Sequence, residues 1–193
     1  MVPFAPWWAD FEFLFQLLVA ITAITYVYYC WRTRVPIVPT QAPARAEIVA
    51  AVKAEVAARP GARLKIYDLG SGTGSLCMAV ARAVPEADVV GMELAWPAWG
   101  WSILKQRWAR QKNLAFMRGD FWRQDISDGD IILCYLGTII MPQLSGKLLH
   151  EPRVNRLIIS NTFPLPKEWQ PFQRRSVPAM LSKEVLLYRQ NTV

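Results

Sequence analysis

Residues 66–75 read IYDLGSGTGS. An apolar run ends on an acid, Asp68, and glycines follow at positions 70, 72 and 74. Glycine adopts backbone conformations closed to other residues and lets another group approach the main chain. The next residues, 75–84 (SLCMAVARAV), have helix-forming composition. The stretch is therefore a strand, a tight loop and a helix N-terminus, which favours negative groups. The same alternation continues along the chain. Residues 87–94 (ADVVGMEL), 114–120 (LAFMRGD), 130–136 (DIILCYL), 156–163 (RLIISNTF) and 184–190 (EVLLYRQ) read as strands. Residues 44–58, 96–111 and 139–149 read as helices. This alternation predicts an α/β fold with a doubly wound, mainly parallel sheet. Ligands bind such sheets beyond the carboxyl ends of the strands, where the strand order reverses.

Upstream of this body the composition changes. Residues 13–31 read FLFQLLVAITAITYVYYCW, interrupted only by Gln16, Thr22 and Thr25. Nineteen helical residues span about 28 Å, close to a bilayer core of about 30 Å. Trp7 and Trp8 flank one end; Tyr26, Tyr28, Tyr29 and Trp31 flank the other, as in an aromatic belt. Asp10 and Glu12 precede the run, and Arg32 and Arg34 follow it. The positive-inside rule then predicts a single-pass protein of an inner or cytoplasmic membrane, with its N-terminus outside and its body in the cytoplasm. A signal peptide would want a positive n-region and a small-residue cleavage site, and neither is present. The formal net charge is +7, and residues 32–193 hold all 22 basic side chains and all but two of the 15 acidic ones. A body this basic suits an anionic surface.

Several chemistries lack their residues. The one histidine, His150, sits near a predicted helix end and reads as a solvated side chain, which speaks against a Ser-His-Asp triad. Cys30, Cys77 and Cys134 lie in apolar surroundings with no metal-ligand spacing, so neither a disulfide framework nor a metal is expected.

The loop itself separates two ligand classes. A dinucleotide fingerprint, Gly-x-Gly-x-x-Gly, would place its third glycine at position 75, where Ser75 stands. The pattern here is acid-x-Gly-x-Gly-x-Gly, which resembles the first motif of class I methyltransferases, Rossmann-like enzymes that bind S-adenosylmethionine. The resemblance implies that the glycines admit the methionine part of the cofactor, while Asp68 orients the loop and the amino group. Glu93 closes the second strand, nineteen residues beyond Gly74, where an acid accepts hydrogen bonds from both ribose hydroxyls. Asp120 follows the third strand, where such enzymes place an acid near the adenine amine, and Phe121 or Trp122 would pack on the ring. The expected cofactor site is thus Asp68, Gly70, Ser71, Gly72, Gly74, Glu93, Leu94, Asp120 and Phe121.

The order of features narrows the resemblance. It is similar to the membrane-anchored lysine methyltransferases that modify ATP synthase c subunit and adenine nucleotide translocase, with their bacterial and archaeal relatives. Those proteins have one N-terminal hydrophobic segment and then a short Val-Pro stretch, here Val38-Pro39-Thr40. DLGSGTG, Glu93-Leu94 before a Trp/Pro-rich helix start, Asp120-Phe121-Trp122, and the late Phe-Pro segment SNTFPLPKEWQP (160–171) also match. The helix start WPAWGW is richer in Trp than the family pattern, and Thr73 stands where the family often has Asp. The implied organisation is an anchor at 1–33, a connector and leading helix at 34–61, and a methyltransferase domain at 62–193. The implied partner is a membrane protein whose lysine accepts the methyl group.

Methyl transfer to lysine needs a neutral amine, and the reference lysine pKa is about 10.4. Orientation and desolvation favour that form and supply most of the catalysis. No residue declares itself a base. Thr40, Tyr135 and Asn161 are the candidates for orienting the amine. In the Trp-rich helix, Trp101, Leu104 and Trp108 have core spacing. Alternatively, Trp96 and Trp99 with Lys105, Arg107, Arg110 and Lys112 form a basic aromatic surface for an anionic membrane. Nucleic acid is disfavoured as a partner, because CYLG stands after the fourth strand in place of the Asn-Pro-Pro-Tyr of base-methylating enzymes. Two other functions remain open: a methyltransferase for a lipid or small hydrophobic molecule, and a non-enzymatic scaffold subunit with the same fold.

Overall fold

A computed structural model describes residues 7–33 and 38–191. Arg34 and residues 35–37 of the Pro-rich connector lie outside the described residues, as do the side chains of Trp7 and Trp8 from the expected aromatic belt. The chain forms two compact units, divided between residues 37 and 38.

The first unit is one helix, α1 (Trp7–Thr33), of 27 residues. At 1.5 Å per residue it is about 40 Å long. Its segment Asp10–Thr33 has a mean hydropathy of 1.8 and is long and apolar enough to cross a membrane. The Thr22, Thr25 and Thr33 hydroxyls each donate to the carbonyl four residues back, at 2.7 Å. Such bonds satisfy the hydroxyls within the helix itself.

The second unit is a sandwich of helices on a sheet. In chain order it runs α2 (Ala42–Ala57), β1 (Lys65–Leu69), α3 (Ser75–Ala83), β2 (Asp88–Glu93), α4 (Trp96–Ala109), β3 (Leu114–Arg118), a 3₁₀ turn (Phe121–Arg123), β4 (Ile131–Cys134), α5 (Met141–His150), β5 (Arg156–Asn161), β6 (Gln173–Ser176) and β7 (Glu184–Gln190). Seven strands are described, in the spatial order β3-β2-β1-β4-β5-β7-β6. The first five are parallel; β7 runs antiparallel to β5, and β6 antiparallel to β7. The doubly wound, mainly parallel expectation therefore holds. Strand β6 was not expected: its sequence, QRRS, is polar and exposed, so it carries no apolar alternation. Pairing with β7, rather than propensity, makes it a strand.

Both faces of the central sheet are covered, so β1, β2, β4 and β5 are buried almost throughout. Ile66, Val89, Leu133 and Ile159 bury against α2 and α3 on one side. Tyr67, Met92, Ile132 and Ile158 bury against α5 on the other. Neighbours such as Ile66 and Tyr67 enter opposite cores because strand side chains alternate. Arg156, fully buried at the start of β5, ties down the end of the sheet away from the glycine loop. Its guanidinium donates to the carbonyls of Gly129, Glu151, Ile126 and Ser127 at 2.8–2.9 Å and to Gln190 Oε1 at 3.1 Å.

Helix α4 corrects one expectation. Trp101, Leu104 and Trp108 do not face the core; they are 53%, 39% and 78% exposed. The inward face is Trp99, Ser102, Ile103 and Ala109. Trp99 Nε1 donates to the Phe116 carbonyl at 3.2 Å. The reason lies under Ser102, which is fully buried. A Cβ at Gly74 would come within 3.1 Å of the Ser102 Cβ, so α4 sits against the glycine loop only through a small side chain. Each face of α4 carries Trp, and its spacing alone does not choose between them.

Candidate cofactor and acceptor site

The strand order reverses between β1 and β4, and the glycine loop leaves β1 at that point. Gly70, Gly72 and Gly74 have φ of +75°, +55° and +74°, in the left-handed region that only glycine enters freely. Gly74 is also the N-cap of α3. The loop is bound to β2: the Gly70 and Ser71 amides both donate to the Met92 carbonyl, at 3.0 and 2.9 Å. The three glycines have different surroundings. A Cβ at Gly74 would lie 2.3 Å from the Phe116 ring, and one at Gly70 3.2 Å from Leu136. At Gly72 nothing lies within 4 Å, so its α-carbon faces open space.

Three acids stand at three successive strand ends. Asp68 is buried at the end of β1, where the Cys77 thiol donates to its Oδ2 at 3.0 Å. Burial raises its pKa to about 6; the thiol opposes the rise, and the Glu93 charge adds to it. Glu93 is buried at the end of β2. Its Oε2 accepts from the Gly72 amide and its Oε1 from the Ala95 amide, both at 2.7 Å. Burial raises the Glu93 pKa, and the amides of Ala95, Gly72 and Leu94 oppose it. Asp120 follows β3 and caps the 3₁₀ turn, accepting from the Trp122 amide at 3.1 Å. The Gly119 amide donates to the Glu93 carbonyl at 3.0 Å, which binds the ends of β2 and β3 together. Phe121 and Trp122 pack with ring centroids 4.5 Å apart. Leu94, half-buried, links Glu93 to Ala95. The nine expected cofactor residues therefore meet along one edge.

Sequence reasoning missed the Cys77–Asp68 bond. The sequence shows Cys77 only as a cysteine in apolar surroundings, and it is buried. Its spacing to Asp68 carried no signal, because the bond exists only once α3 folds back over β1.

The acceptor candidates gather beyond β4 and β5. Tyr135 stacks on Phe163, centroids 5.6 Å apart at 24°, and its hydroxyl donates to the Leu181 carbonyl at 2.7 Å. Asn161 is buried; its Nδ2 donates to Ser182 Oγ at 3.2 Å, and its Oδ1 accepts from the Thr162 hydroxyl at 3.1 Å. Among the described residues the Thr40 hydroxyl donates no hydrogen bond, but its neighbour Gln41 accepts the Leu181 amide at 2.8 Å through Oε1. One segment, residues 181–182, thus touches Tyr135, Asn161 and the residue after Thr40. Thr162 has φ +69°, a left-handed conformation that is rare for a β-branched residue and common at functional sites. Gln41, Thr162 and Ser182 had no distinguishing signal in the sequence. The late Phe-Pro segment packs beneath: Trp169 Nε1 donates to Ser145 Oγ at 2.8 Å, and the Leu165 amide to the Tyr188 hydroxyl at 3.2 Å.

A seven-stranded sheet of this order, with a glycine loop at the reversal and acids at the strand ends, defines the class I methyltransferase fold. Solved structures share it. An RNA methyltransferase from Salinibacter ruber, in complex with S-adenosyl-L-homocysteine, superposes with a TM-score of 0.68 at 21% identity, covering 81% of this chain and 95% of that one. A putative O-methyltransferase from Klebsiella pneumoniae gives 0.61 at 14% identity, covering 95% and 97%. Magnesium protoporphyrin IX methyltransferase from Synechocystis PCC 6803, with SAM bound, gives 0.57 at 21% identity, covering 75% and 79%. No curated protein sequence matches the chain. The model of the family described as ANTKMT methyltransferase domain matches residues 68–173, more than half of the chain. The chain belongs to that family, and its cofactor is S-adenosylmethionine.

The local structure fits such a cofactor. The space over Gly72 is one that a Cβ would enter. Ser71 Oγ is buried without a hydrogen-bond partner among the described residues.

Proposed function

We propose that the protein is a membrane-anchored methyltransferase that modifies a lysine of a membrane protein. Membership of the ANTKMT methyltransferase domain family carries this reading. The length and apolarity of α1, together with Arg32 at its end, support the anchor and a cytoplasmic body.

Each residue has a task under this reading. Asp68 holds the loop and meets the cofactor's amino group. Glu93 positions the Gly72 and Ala95 amides and offers its remaining lone pairs to the ribose hydroxyls. Asp120 and Phe121 border the adenine. When bound, S-adenosylmethionine supplies a methyl group activated by its sulfonium. Tyr135 and Phe163 form an aromatic wall at the acceptor end, and Asn161, held by Ser182 and Thr162, presents its amide there. That wall desolvates an entering lysine and so disfavours its ammonium form. A bound cofactor would offer its methyl group to that neutral amine, forming an N–C bond as the C–S bond breaks and S-adenosylhomocysteine leaves; orientation by these residues would supply up to about 7–11 kcal/mol of rate enhancement in favourable cases.

The test is transfer of labelled methyl groups by the full-length protein in native membranes. Label should appear on a membrane protein and, after hydrolysis, as methyl-lysine. Label confined to extracted lipid would move the assignment to a lipid acceptor. No transfer despite cofactor binding would leave only a scaffold.

A further inference from the structure

Helix α4 carries a face that the methyltransferase reading leaves unused. Trp101, Leu104 and Trp108 lie on one side of it and are 53%, 39% and 78% exposed. The spacing i, i+3, i+7 puts them in a single stripe. Isolated exposed hydrophobics are ordinary, but two tryptophans and a leucine in one stripe mark an interaction surface. The charge around the stripe is one-sided. Between Glu93 and Asp120 the sequence has no acid and five bases: Lys105, Arg107, Arg110, Lys112 and Arg118. Among the described residues none of the five takes part in an ion pair. Several bases elsewhere in the body are neutralised locally: Arg63 by Asp88, Lys65 by Asp128, Arg153 by Asp130 and Arg189 by Glu55.

We infer that the outer face of α4 docks on an anionic lipid surface, with Trp101 and Trp108 in the headgroup layer and the surrounding bases over acidic headgroups. Tryptophan favours the membrane interface because its ring is apolar and its N–H is polar. Unpaired bases contribute attraction of about 1 kcal/mol each beside an anionic leaflet. The inference rests on the reading of α1 as a membrane span, which keeps the body beside one leaflet whatever their mutual arrangement. Docking then gives the body a preferred face toward the bilayer, where a tether alone would leave it free to turn. A nucleic acid would also meet an aromatic and basic face, but a chain that carries its own candidate span favours lipid.

The experiment uses full-length protein reconstituted into vesicles of phosphatidylcholine, with or without phosphatidylglycerol. Brominated acyl chains serve as the fluorescence quencher. The signal is the emission of the native protein minus that of the Trp101→Ala/Trp108→Ala variant, which isolates the two tryptophans. Quenching of this difference in phosphatidylglycerol vesicles, and its release by high salt, is expected. The Arg107→Glu/Lys112→Glu variant keeps both tryptophans and should weaken docking by roughly fivefold or more for each charge removed. No quenching in anionic vesicles, or equal quenching without phosphatidylglycerol, would overturn the inference. Protection of the same tryptophans from an aqueous quencher by RNA, with no quenching from lipid, would overturn it in favour of nucleic acid. Insertion of α1 is scored separately, by resistance of the same vesicles to carbonate extraction, so loss of docking and loss of the anchor give different results.

Discussion

The Cys77 thiol, in the first turn of α3, donates to the Asp68 carboxylate near the end of β1 across 3.0 Å. Burial of that carboxylate raises its pKa to about 6, from 3.8. The sign of the consequence differs for folding and for binding. For folding, the raised group contributes stability that is fully present below the unfolded value and is lost as pH rises through about 6. A difference of about two pH units corresponds to roughly 3 kcal/mol. For binding, the carboxylate must be ionised to meet a cationic amino group, so cofactor affinity should fall as pH drops through about 6. Calorimetric titration from pH 8 to pH 5 (values chosen to bracket about 6) should show the acid loss. Cys77→Ala removes the donor that favours the charged form and should move that loss to higher pH. A pH-independent affinity would mean that Asp68 does not face the cofactor's charge.

Gly72 and Gly74 should fail in different ways. A methyl at Gly74 would meet the Phe116 ring at 2.3 Å, and its φ is +74°. Gly74→Ala should therefore destabilise the fold by about 1–3 kcal/mol, read by thermal or chemical unfolding. At Gly72 nothing lies within 4 Å. Gly72→Ala meets only the backbone penalty of φ +55°, about 1–2 kcal/mol, and should stay folded. Its added methyl enters the space assigned to the cofactor, so its binding should be lost. Tight binding by Gly72→Ala would show that the cofactor passes elsewhere.

Glu93 joins the loop to β2 through the Gly72 and Ala95 amides. Glu93→Ala leaves both donors without their partner and removes the proposed ribose acceptor. Cofactor binding should weaken by about 1–3 kcal/mol, some five- to 150-fold. Glu93→Gln keeps one acceptor oxygen and should fall between the two. Equal binding by Glu93→Ala and the native protein would remove Glu93 from the site.

Much of this site was legible because its signals are local. Asp68, Gly70, Gly72 and Gly74 announce a strand, a turn and a helix within ten residues. Glu93 and Asp120 are legible because a parallel sheet brings successive strand ends to one edge. Contacts between distant segments were not. Residues 181–182 reach Tyr135, Asn161 and Gln41 only through the antiparallel return of β7, and nothing near Ser182 signals it. Strand β6 is polar and takes its form from β7. On α4 the wrong tryptophans were assigned to the core. Residues 101, 104 and 108 have apolar helical spacing as good as the true inner face, and the choice is made by the room Ser102 leaves beside Gly74.

Asn161 and Tyr135 test the acceptor end apart from the cofactor end. Asn161 is buried and bonded to Ser182 and Thr162. Asn161→Ala should lower kcat by about 10–100-fold, the loss of one orienting bond that strengthens as charge develops on the amine during transfer, while cofactor Kd changes little. Tyr135→Phe keeps the stack on Phe163 but loses the bond to the Leu181 carbonyl, and should have the smaller effect. Equal losses of kcat and cofactor affinity in Asn161→Ala would place it with the cofactor instead.

The anchor can be tested against the chemistry. The body beyond residue 37 has its own sheet and two cores, so removal of residues 1–33 should leave cofactor binding intact. A membrane tether confines an enzyme to a thin layer and raises the effective concentration of targets in that layer. The truncated protein should therefore methylate a membrane-protein acceptor in cells far more slowly than the full chain. A short soluble lysine peptide, which gains nothing from the tether, should be methylated at the same slow rate by both. The two substrates together separate loss of access from loss of activity. If the truncated protein modified the membrane acceptor at the full rate, α1 would have no part in substrate access, and a soluble protein or a small molecule would become the better acceptor.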